Sequence, residues 1–283
     1  TVHAALDAGI NFFDTAEGYE AGHSERVLGR GLLGRRDEAV IATKVSPSHL
    51  AGPDVIAACE QSLRNLQTDV IDLYQIHWPN WNVPLEETVG ALETLQRQGK
   101  IRAIGVSNFG VQDLSAILDL TAVVTNQMPF SLLWRVIEAE VQPLCVERGV
   151  GLICYSPLAQ GLLTGRYASA DDVPDGLART RLYAGSRPQS QHGEPGCEAE
   201  VFAALAGIRH IADGLGQPMA AVALAWVRQQ AGIASLLVGA RKPEELAWNL
   251  PSLELELSAD VIAELDRVTE PVKRALGSNP DPW

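Results

Sequence analysis

The chain has 283 residues, of which 46% are hydrophobic and 20% are charged. This composition is typical of a globular protein, because disordered chains are poorer in apolar residues and richer in charge. The formal net charge is −13, and a field of that sign disfavours binding to nucleic-acid phosphates and to anionic lipid. The apolar runs are shorter than the roughly 20 residues that cross a bilayer, so no membrane contact is expected.

Short apolar segments alternate along the chain with longer amphipathic ones. Successive apolar residues in the short segments are typical of parallel strands buried on both faces. The alternation predicts βαβ units and therefore an α/β fold. The predicted strands are Ile10–Asp14, Ala39–Val45, Val70–His77, Ile101–Asn108, Val123–Met128, Gly151–Tyr155 and Ser235–Ala240.

The amphipathic segments predict helices, some followed by a glycine of the kind that ends a helix in the left-handed conformation. They are Ser24–Leu33, Pro53–Leu66, Leu85–Gln98, Val111–Leu120, Glu138–Arg148, Glu200–Leu215, Met219–Gln229, Pro243–Leu250 and Ala259–Val268. A long βα loop is predicted at about 168–197, and a C-terminal helix and tail at about 258–283. Such loops form the active-site rim in barrels, although an insertion without function is the alternative. No linker divides the chain, so a single domain over residues 1–283 is predicted.

The number of predicted strands bears on the fold class. A closed (β/α)8 barrel, or TIM barrel, needs eight parallel strands, and the pattern contains seven. The residues before Ile10 resemble the last turns of a helix, and the chain does not begin with Met. An open seven-stranded sheet would expose two unpaired edges. We therefore expect an α/β (β/α)8 barrel whose first strand lies upstream of Thr1.

Two kinds of site are disfavoured by the pattern. The segment Gly29–Gly34 matches G-x-G-x-x-G, but it follows a predicted helix and leads into a strand, whereas the dinucleotide fingerprint needs the reverse order. The six histidines and four cysteines lack metal-ligand spacing, so no metal is predicted. The cysteines predict buried structural thiols in a reducing cytoplasm. They are Cys59, Cys145, Cys154 and Cys197.

Four polar residues stand at or just after the ends of three successive predicted strands: Asp14, Tyr19, Lys44 and His77. In a parallel barrel these ends face one mouth. Each residue alone has an ordinary structural role, but together they predict a proton-transfer site in which Asp14 pairs with the buried Lys44. Lys44 is expected to lower the pKa of Tyr19, and His77 to donate a hydrogen bond to a carbonyl oxygen. None of them supplies a hydride, so a redox cofactor is expected.

The segments INFFDTAEGY, ATK, DLYQIHWPN, KIRAIGVSNF, NQMPFSLL, YSPLAQGLLTGRY and VGARKPEELAWN, in this order, resemble the signatures of the aldo-keto reductases. The resemblance covers nearly the whole chain. It implies a (β/α)8 barrel that uses NADPH, less often NADH, to reduce aldehydes and ketones or to oxidise alcohols. It also implies that Tyr19 is the general acid and base, that Lys44 and Asp14 tune it, and that His77 orients the carbonyl.

The same resemblance implies a set of cofactor-binding residues. Those expected at the nicotinamide are Ser107, Asn108 and Gln127 for its carboxamide and Tyr155 for stacking on its ring. Those expected at the pyrophosphate are Ser156, Leu158, Gln160, Gly161 and Arg166. Those expected at the adenosine end are Gly239, Ala240, Arg241, Glu245 and Asn249. Relatives commonly carry Arg or Gln where this chain has Glu245, and a carboxylate there would repel a 2′-phosphate unless Arg241 or Lys242 compensates. NADP(H) is expected, NAD(H) is the alternative that Glu245 leaves open, and discrimination between them is expected to rest on Arg241.

Three tryptophans follow strand ends and are expected to line an apolar substrate pocket, with packing against a neighbouring loop as the alternative. They are Trp78, Trp81 and Trp134. The function predicted from the sequence is that of a cytoplasmic, NADP(H)-dependent reductase of a small carbonyl compound. A redox-sensing or regulatory subunit that binds NADP(H) but turns over slowly is the alternative, followed by an isomerase or lyase without cofactor. The sequence leaves the substrate and the oligomeric state open.

Overall fold

The structure is a computed structural model that describes residues 1–281, so the last two residues of the predicted tail lie outside the described residues. The chain divides into two compact units, each assembled from separate stretches. Unit 1 contains Thr1–Gln127, Arg148–Gly151 and Ala240–Pro243, and unit 2 contains Met128–Glu147, Leu152–Gly239 and the chain from Glu244 onward. The single domain stays a prediction, and each unit is described by itself.

Unit 1 is built on parallel strands that lie side by side in chain order. The middle strands are buried almost throughout, as their continuous apolar sequence predicts. The register pairs Lys44 with Gln75, and Gln75 with Gly105. Two polar side chains, on β2 and β3, therefore lie at one level of the sheet, with the glycine of β4 beside them. The strands are β1 (Phe12–Asp14), β2 (Val40–Val45), β3 (Ile71–Ile76), β4 (Ile101–Ser107) and the first three residues of β5 (Thr125–Pro129).

The helices of unit 1 alternate with these strands. Their apolar residues recur at helical spacing, which buries one face and leaves the other in solvent. In α3, for example, Val55, Cys59, Ser62 and Leu66 are buried. The helices are α1 (Val2–Asp7), α2 (His23–Gly31), α3 (Gly52–Leu66), α4 (Leu85–Arg97) and α5 (Val111–Leu118).

Unit 2 contains the parallel pair β6 and β7, in which Cys154 faces Leu236. Residues 173–197 form neither helix nor strand, where the sequence predicts a long loop. The elements of this part of the chain are α6 (Val141–Arg148), β6 (Gly151–Tyr155), α7 (Glu198–Gly214), α8 (Met219–Arg228), β7 (Ile233–Leu236), α9 (Pro243–Asn249) and α10 (Ala259–Leu276).

Two elements of unit 2 differ from their predicted bounds. Strand β7 was predicted at Ser235–Ala240, but it lies at Ile233–Leu236. Helix α10 was predicted to end at Val268, yet it continues through Pro271 to Leu276. Its buried residues lie on one face that packs against α7. This packing outweighs the backbone hydrogen bond that a proline removes.

The predicted fold class is confirmed, since helices and parallel strands alternate as in a (β/α)8 barrel. Seven strands lie within residues 1–281, in the order β1 to β7, and α1 precedes β1 where the sequence predicts the end of a helix. None of the described helices combines the length and hydrophobicity needed to cross a membrane.

Gly105 of β4 occupies a crowded position, because a Cβ there would lie 2.6 Å from Thr125 Oγ1 and 3.0 Å from Gln75 Cγ. We expect Gly105→Ala to lower the free energy of unfolding by about 1–3 kcal/mol, since overpacking displaces neighbours. Gly90→Ala is the matched control, because a Cβ there meets no atom within 4 Å, and we expect it to be neutral or slightly stabilising. Urea unfolding compares the two, and equal stabilities would contradict the prediction.

Candidate active site

The ammonium group of Lys44 is a fully buried charge of unit 1. The Lys44 side chain is 0% exposed, and its Nζ lies 2.5 Å from Asp14 Oδ1 and 2.8 Å from the carbonyl oxygen of Thr15. A buried ammonium is costly unless a countercharge and further acceptors surround it. The ends of β1 and β2 provide both, so the predicted Asp14–Lys44 pair is present in the structure.

The carboxylate of Asp14 also accepts hydrogen bonds from two glutamines. Gln127 Nε2 donates to Asp14 Oδ2 at 2.8 Å, and Gln75 Nε2 donates to the same oxygen at 3.3 Å. The sequence analysis missed Gln75, although a glutamine inside the apolar strand DLYQIH was a signal for it. Gln127 was predicted to bind the nicotinamide carboxamide. In the structure its side-chain NH2 donates a hydrogen bond to Asp14.

Tyr19 and His77 lie beside the buried pair. The two rings are 5.7 Å apart and nearly perpendicular, and Lys44 Nζ lies 5.2 Å from the centroid of the Tyr19 ring. The Tyr19 side chain is placed by these ring contacts rather than by a hydrogen bond to either neighbour. It is 42% exposed, so it can exchange protons with solvent. The structure thus brings together the four residues that were predicted to be catalytic.

The pKa values around this cluster follow from burial and from two opposite charges. Burial, followed by the negative charge of Asp14, raises the pKa of Tyr19 to about 12. The expected net lowering of the Tyr19 pKa is therefore not found, because burial and the Asp14 charge both favour the neutral phenol. Burial and the charge of Lys44 lower the pKa of His77 to about 4, and burial also lowers that of Lys44, against the opposing effect of Asp14.

The ends of β4 and β5 tie the remaining predicted residues of unit 1 to this cluster. Ser107 Oγ donates to the carbonyl oxygen of Gln127 at 3.1 Å. Asn108 is left-handed, with φ +61°, and its Nδ2 donates to the carbonyl oxygen of His77 at 3.1 Å. Asn108 therefore holds the backbone that carries the imidazole.

In unit 2, the loop after β6 contains several non-glycine residues in the left-handed conformation. Ser156, Ala159 and Gln160 have φ values of +52°, +47° and +55°, which cost energy for residues with a Cβ and cluster at functional sites. At Gly161 a Cβ would lie 2.5 Å from Arg166 Nη2, so the guanidinium rests against the glycine. With Ser156 and Arg166 exposed, the left-handed turns of this loop are a suitable cradle for a phosphate group. The loop contains the residues predicted at the pyrophosphate, and it follows the half-buried Tyr155.

The residues predicted at the adenosine end lie after β7. Gly239 and Arg241 are exposed in an irregular stretch that also contains Ala240. Glu245 and Asn249 lie one turn apart in α9, where Asn249 Nδ2 donates to the carbonyl oxygen of Glu245 at 2.9 Å. The predicted roles of these residues stay predictions.

The three tryptophans occupy different environments. Trp81 is 83% exposed, and its indole N–H donates to Asp113 of α5 at 2.7 Å. Trp78 is half-buried, whereas Trp134 of unit 2 is buried and lines a cleft. Within residues 1–281, no group of three or more His, Cys, Asp or Glu side chains is arranged to hold a metal ion.

Comparison with known proteins decides the family. The Aldo/keto reductase family matches residues 1–270. The chain belongs to this family. Aldo-keto reductase YhdN from Bacillus subtilis is 32% identical over 96% of this chain and 85% of its own length. A crystal structure of an aldo-keto reductase from Klebsiella pneumoniae in complex with NADPH is 34% identical, with a TM-score of 0.75 over 94% of this chain and 82% of that one.

Two other aldo/keto reductase relatives differ in what their names state. Methylglyoxal reductase YeaE from Escherichia coli is 33% identical over 94% of this chain and 82% of its own length. A probable voltage-gated potassium channel subunit beta from rice, Oryza sativa, is 29% identical over 95% of this chain and 86% of its own length. Family membership confirms the predicted enzyme class, an NAD(P)H-dependent oxidoreductase.

The buried ion pair predicts a specific pattern of stabilities. Asp14→Asn leaves the Lys44 ammonium without a countercharge, and we expect it to lower the free energy of unfolding by about 3–5 kcal/mol. Adding Lys44→Met removes the unpaired charge, so the double variant should regain part of that loss. Urea unfolding at pH 7 measures both.

The control for this series is Glu60→Gln, which removes the ion pair between Lys100 and Glu60. The side chains of this pair are 30% and 41% exposed, respectively. We expect a much smaller change there, because exposed ion pairs contribute little. A double variant no more stable than Asp14→Asn would contradict the assignment of the cost to the buried ammonium.

Proposed function

We propose that the protein reduces aldehydes or ketones to alcohols with a hydride from NADPH, and that Tyr19 donates the proton. The observation that carries this proposal is the cluster at the ends of β1, β2 and β3. There a phenol and an imidazole flank a buried ammonium whose countercharge is fixed by two glutamines. The proposed substrate is a small carbonyl compound. The proposed compartment is the cytoplasm, because thiols stay reduced there and the four buried cysteines are free.

The proton comes from the Tyr19 hydroxyl. With its pKa raised to about 12, Tyr19 is a neutral phenol at physiological pH and holds the proton that reduction consumes. When negative charge develops on the carbonyl oxygen, the phenol protonates it and becomes a phenolate. The nearby Lys44 ammonium stabilises the phenolate, and the partly exposed side chain recovers a proton from water.

His77 fixes the direction of the carbonyl group. Because its pKa is lowered to about 4, the imidazole is neutral at pH 7 and has one N–H to donate to the substrate oxygen. A neutral donor stabilises the developing charge without competing with Tyr19 as an acid. Asn108 binds the backbone carbonyl of His77, so the backbone that carries the ring is held before the substrate binds.

The nicotinamide cofactor, when bound, supplies the hydride to the carbonyl carbon. The loop after β6 suits its phosphates, because Ser156 is exposed and Arg166 is held against Gly161. Tyr155 is proposed to stack on the nicotinamide, and Arg241 to receive the adenosine 2′-phosphate. NADP(H) is the proposed cofactor, in keeping with the NADPH complex of the Klebsiella relative, and NAD(H) is the alternative.

The alternative function is that of an NADP(H)-binding regulatory subunit, as the name of the rice relative suggests. The two functions differ in rate. A reductase oxidises bound NADPH rapidly when a simple aldehyde is added, whereas a sensor does so orders of magnitude more slowly. Single-turnover stopped-flow fluorescence of bound NADPH distinguishes them, and the complete set of four side chains favours the enzyme.

Replacing the proton donor tests the proposal directly. We expect Tyr19→Phe to lower kcat for aldehyde reduction about 100-fold or more, with NADPH affinity unchanged in a fluorescence titration. Tyr74→Phe is the matched control, because the buried Tyr74 hydroxyl has no hydrogen-bond partner among the described side chains, and it should retain wild-type kcat. Equal kcat values for Tyr19→Phe and the wild type would rule out Tyr19 as the acid.

The pKa values predict an unusual pH dependence. Tyr19 stays protonated below about pH 12 and His77 stays neutral above about pH 4. We therefore expect kcat/KM for reduction to be flat from pH 5.5 to 9. Alcohol oxidation needs the phenolate, whose fraction rises about tenfold per pH unit below the pKa, so its kcat/KM should rise across this range. An inflection near pH 6.5 in the reductive profile would contradict the neutral-imidazole assignment.

A further inference from the structure

Tyr19 lies in a turn of unit 1, residues 16–22, that follows β1 and contains strained backbone. The Tyr19 N–H donates to the carbonyl oxygen of Ala16 at 3.1 Å. The next three residues have φ values of +48°, +50° and +76°. They are Glu20, Ala21 and Gly22. Left-handed residues that carry a Cβ cost free energy and persist only where neighbouring segments hold them. The Tyr19 turn therefore depends on contacts outside itself.

The side chain of Glu17, two residues before Tyr19, crosses to the chain that follows β2. Its Oε1 accepts the backbone N–H of Ser46 at 2.6 Å and lies 2.9 Å from the ring nitrogen Nδ1 of His49. The Glu17 side chain is 14% exposed and that of His49 is 51% exposed. A carboxylate that accepts a backbone N–H forms one of the stronger hydrogen bonds in proteins. One carboxylate oxygen thus links the Tyr19 turn to the segment just after Lys44.

Backbone contacts hold the turn less firmly than this side chain does. The backbone N–H of Glu17 donates to the carbonyl oxygen of Lys44 at 3.3 Å. A Cβ at Gly18 would lie 3.3 Å from Ser46 Oγ, so the turn packs closely on Ser46. The centroid of the Tyr19 ring is 5.2 Å from Lys44 Nζ, and a contact of this length does not fix the hydroxyl. The distance between the hydroxyl and the ammonium therefore depends on where the turn lies.

We propose that Glu17 is a positioning residue for proton transfer, whose carboxylate oxygen holds the Tyr19 turn where the Lys44 ammonium can stabilise the phenolate. The inference rests on the proposed reduction, because it takes Tyr19 as the proton donor. Glu17 contributes through geometry, since the single oxygen Oε1 makes both contacts. A glutamine places an oxygen at the same position, whereas an aspartate is one methylene too short to reach Ser46.

The charge of Glu17 has a separate effect. At His77, burial and then the Lys44 charge lower the pKa to about 4, and the Glu17 charge opposes them. Removing the Glu17 charge would lower that pKa further, so the imidazole would stay neutral at pH 7. A variant that keeps the oxygen and loses the charge therefore isolates the geometry.

Substitutions at Glu17 test the proposal kinetically. We expect Glu17→Ala and Glu17→Asp each to lower kcat for 4-nitrobenzaldehyde reduction about tenfold, since displacing a proton donor slows its transfer. KM for the aldehyde and NADPH affinity in a fluorescence titration should stay within about twofold. Glu17→Gln should retain kcat within about twofold of the wild type. A loss in Glu17→Gln that Glu17→Asp does not show would assign the effect to charge and overturn the proposal.

The matched control is Glu87→Ala. Glu87 Oε1 also accepts a backbone N–H, that of Gly52 at 2.8 Å, at the start of α3. Glu17→Ala and Glu87→Ala therefore lose the same kind of hydrogen bond in unit 1, but only the first bond holds the Tyr19 turn. We expect Glu87→Ala to keep kcat within about twofold of the wild type. A loss equal to that of Glu17→Ala would show a general effect on stability and overturn the proposal.

A double-variant cycle with Tyr19→Phe shows whether Glu17 acts through Tyr19. Effects of residues that act through one another are not additive. In the Tyr19→Phe protein, we expect Glu17→Ala to change the residual single-turnover rate of NADPH oxidation less than about twofold, because the group that Glu17 positions is gone. A further loss of about tenfold in the double variant would mean that Glu17 acts by another route, and it would overturn the assignment.

Hydrogen–deuterium exchange separates this proposal from the proposed reduction, because it needs no turnover. We expect Glu17→Ala and Glu17→Asp to raise the exchange rate of backbone amides in residues 16–22 about tenfold, and Glu17→Gln and Glu87→Ala to leave it unchanged. A protein that reduces no aldehyde but shows this pattern would refute the reduction and support the link made by Glu17. Unchanged exchange in both Glu17→Ala and Glu17→Asp would overturn the link.

Discussion

The burial of the Lys44 ammonium is the constraint on which the rest of unit 1 depends. A charge in that position needs a carboxylate beside it, and the carboxylate needs donors for its other oxygen. Asp14 meets the first requirement, and Gln75 and Gln127 meet the second. The ends of β1, β2, β3 and β5 therefore converge on one carboxylate.

The buried pair also determines the chemistry of its neighbours. Burial and the Asp14 charge raise the pKa of Tyr19, so the phenol keeps its proton. Burial and the Lys44 charge lower the pKa of His77, so the imidazole stays neutral. Burial and these two charges thus favour the uncharged forms of both side chains, and the proposed reduction uses those forms. In the proposed reaction, reduction is favoured at neutral pH, because oxidation would need the phenolate.

In unit 2, buried guanidinium groups bind backbone carbonyl oxygens rather than a carboxylate at the candidate site. Arg135 and Arg181 bind carbonyl oxygens of α10 and of the turn after it. The planar guanidinium suits this role because it offers several donors in fixed directions. These hydrogen bonds join the C-terminal helix to the turn after β5 and to the long loop. The helix continues through Pro271, and the carbonyl of Leu276 that Arg181 binds lies beyond the proline.

Much of the molecule follows from the sequence alone. Local periodicity predicted most helices and strands within a few residues, and the polar residues at strand ends predicted Asp14, Tyr19, Lys44 and His77, because strand-end position is a local property. The path of α10 beyond Val268 and the early start of β7 were not predicted, since packing against other elements decides them.

The sequence by itself determined the order of the elements, the family and the identity of the four clustered side chains. Only the tertiary structure decided that Gln75 and Gln127 bind Asp14, that Tyr19 is a weaker acid than expected, and that Arg181 reaches the turn after α10. The physical reason is that desolvation and the summed effect of opposite charges depend on distances between segments far apart in the chain, and no local pattern contains those distances.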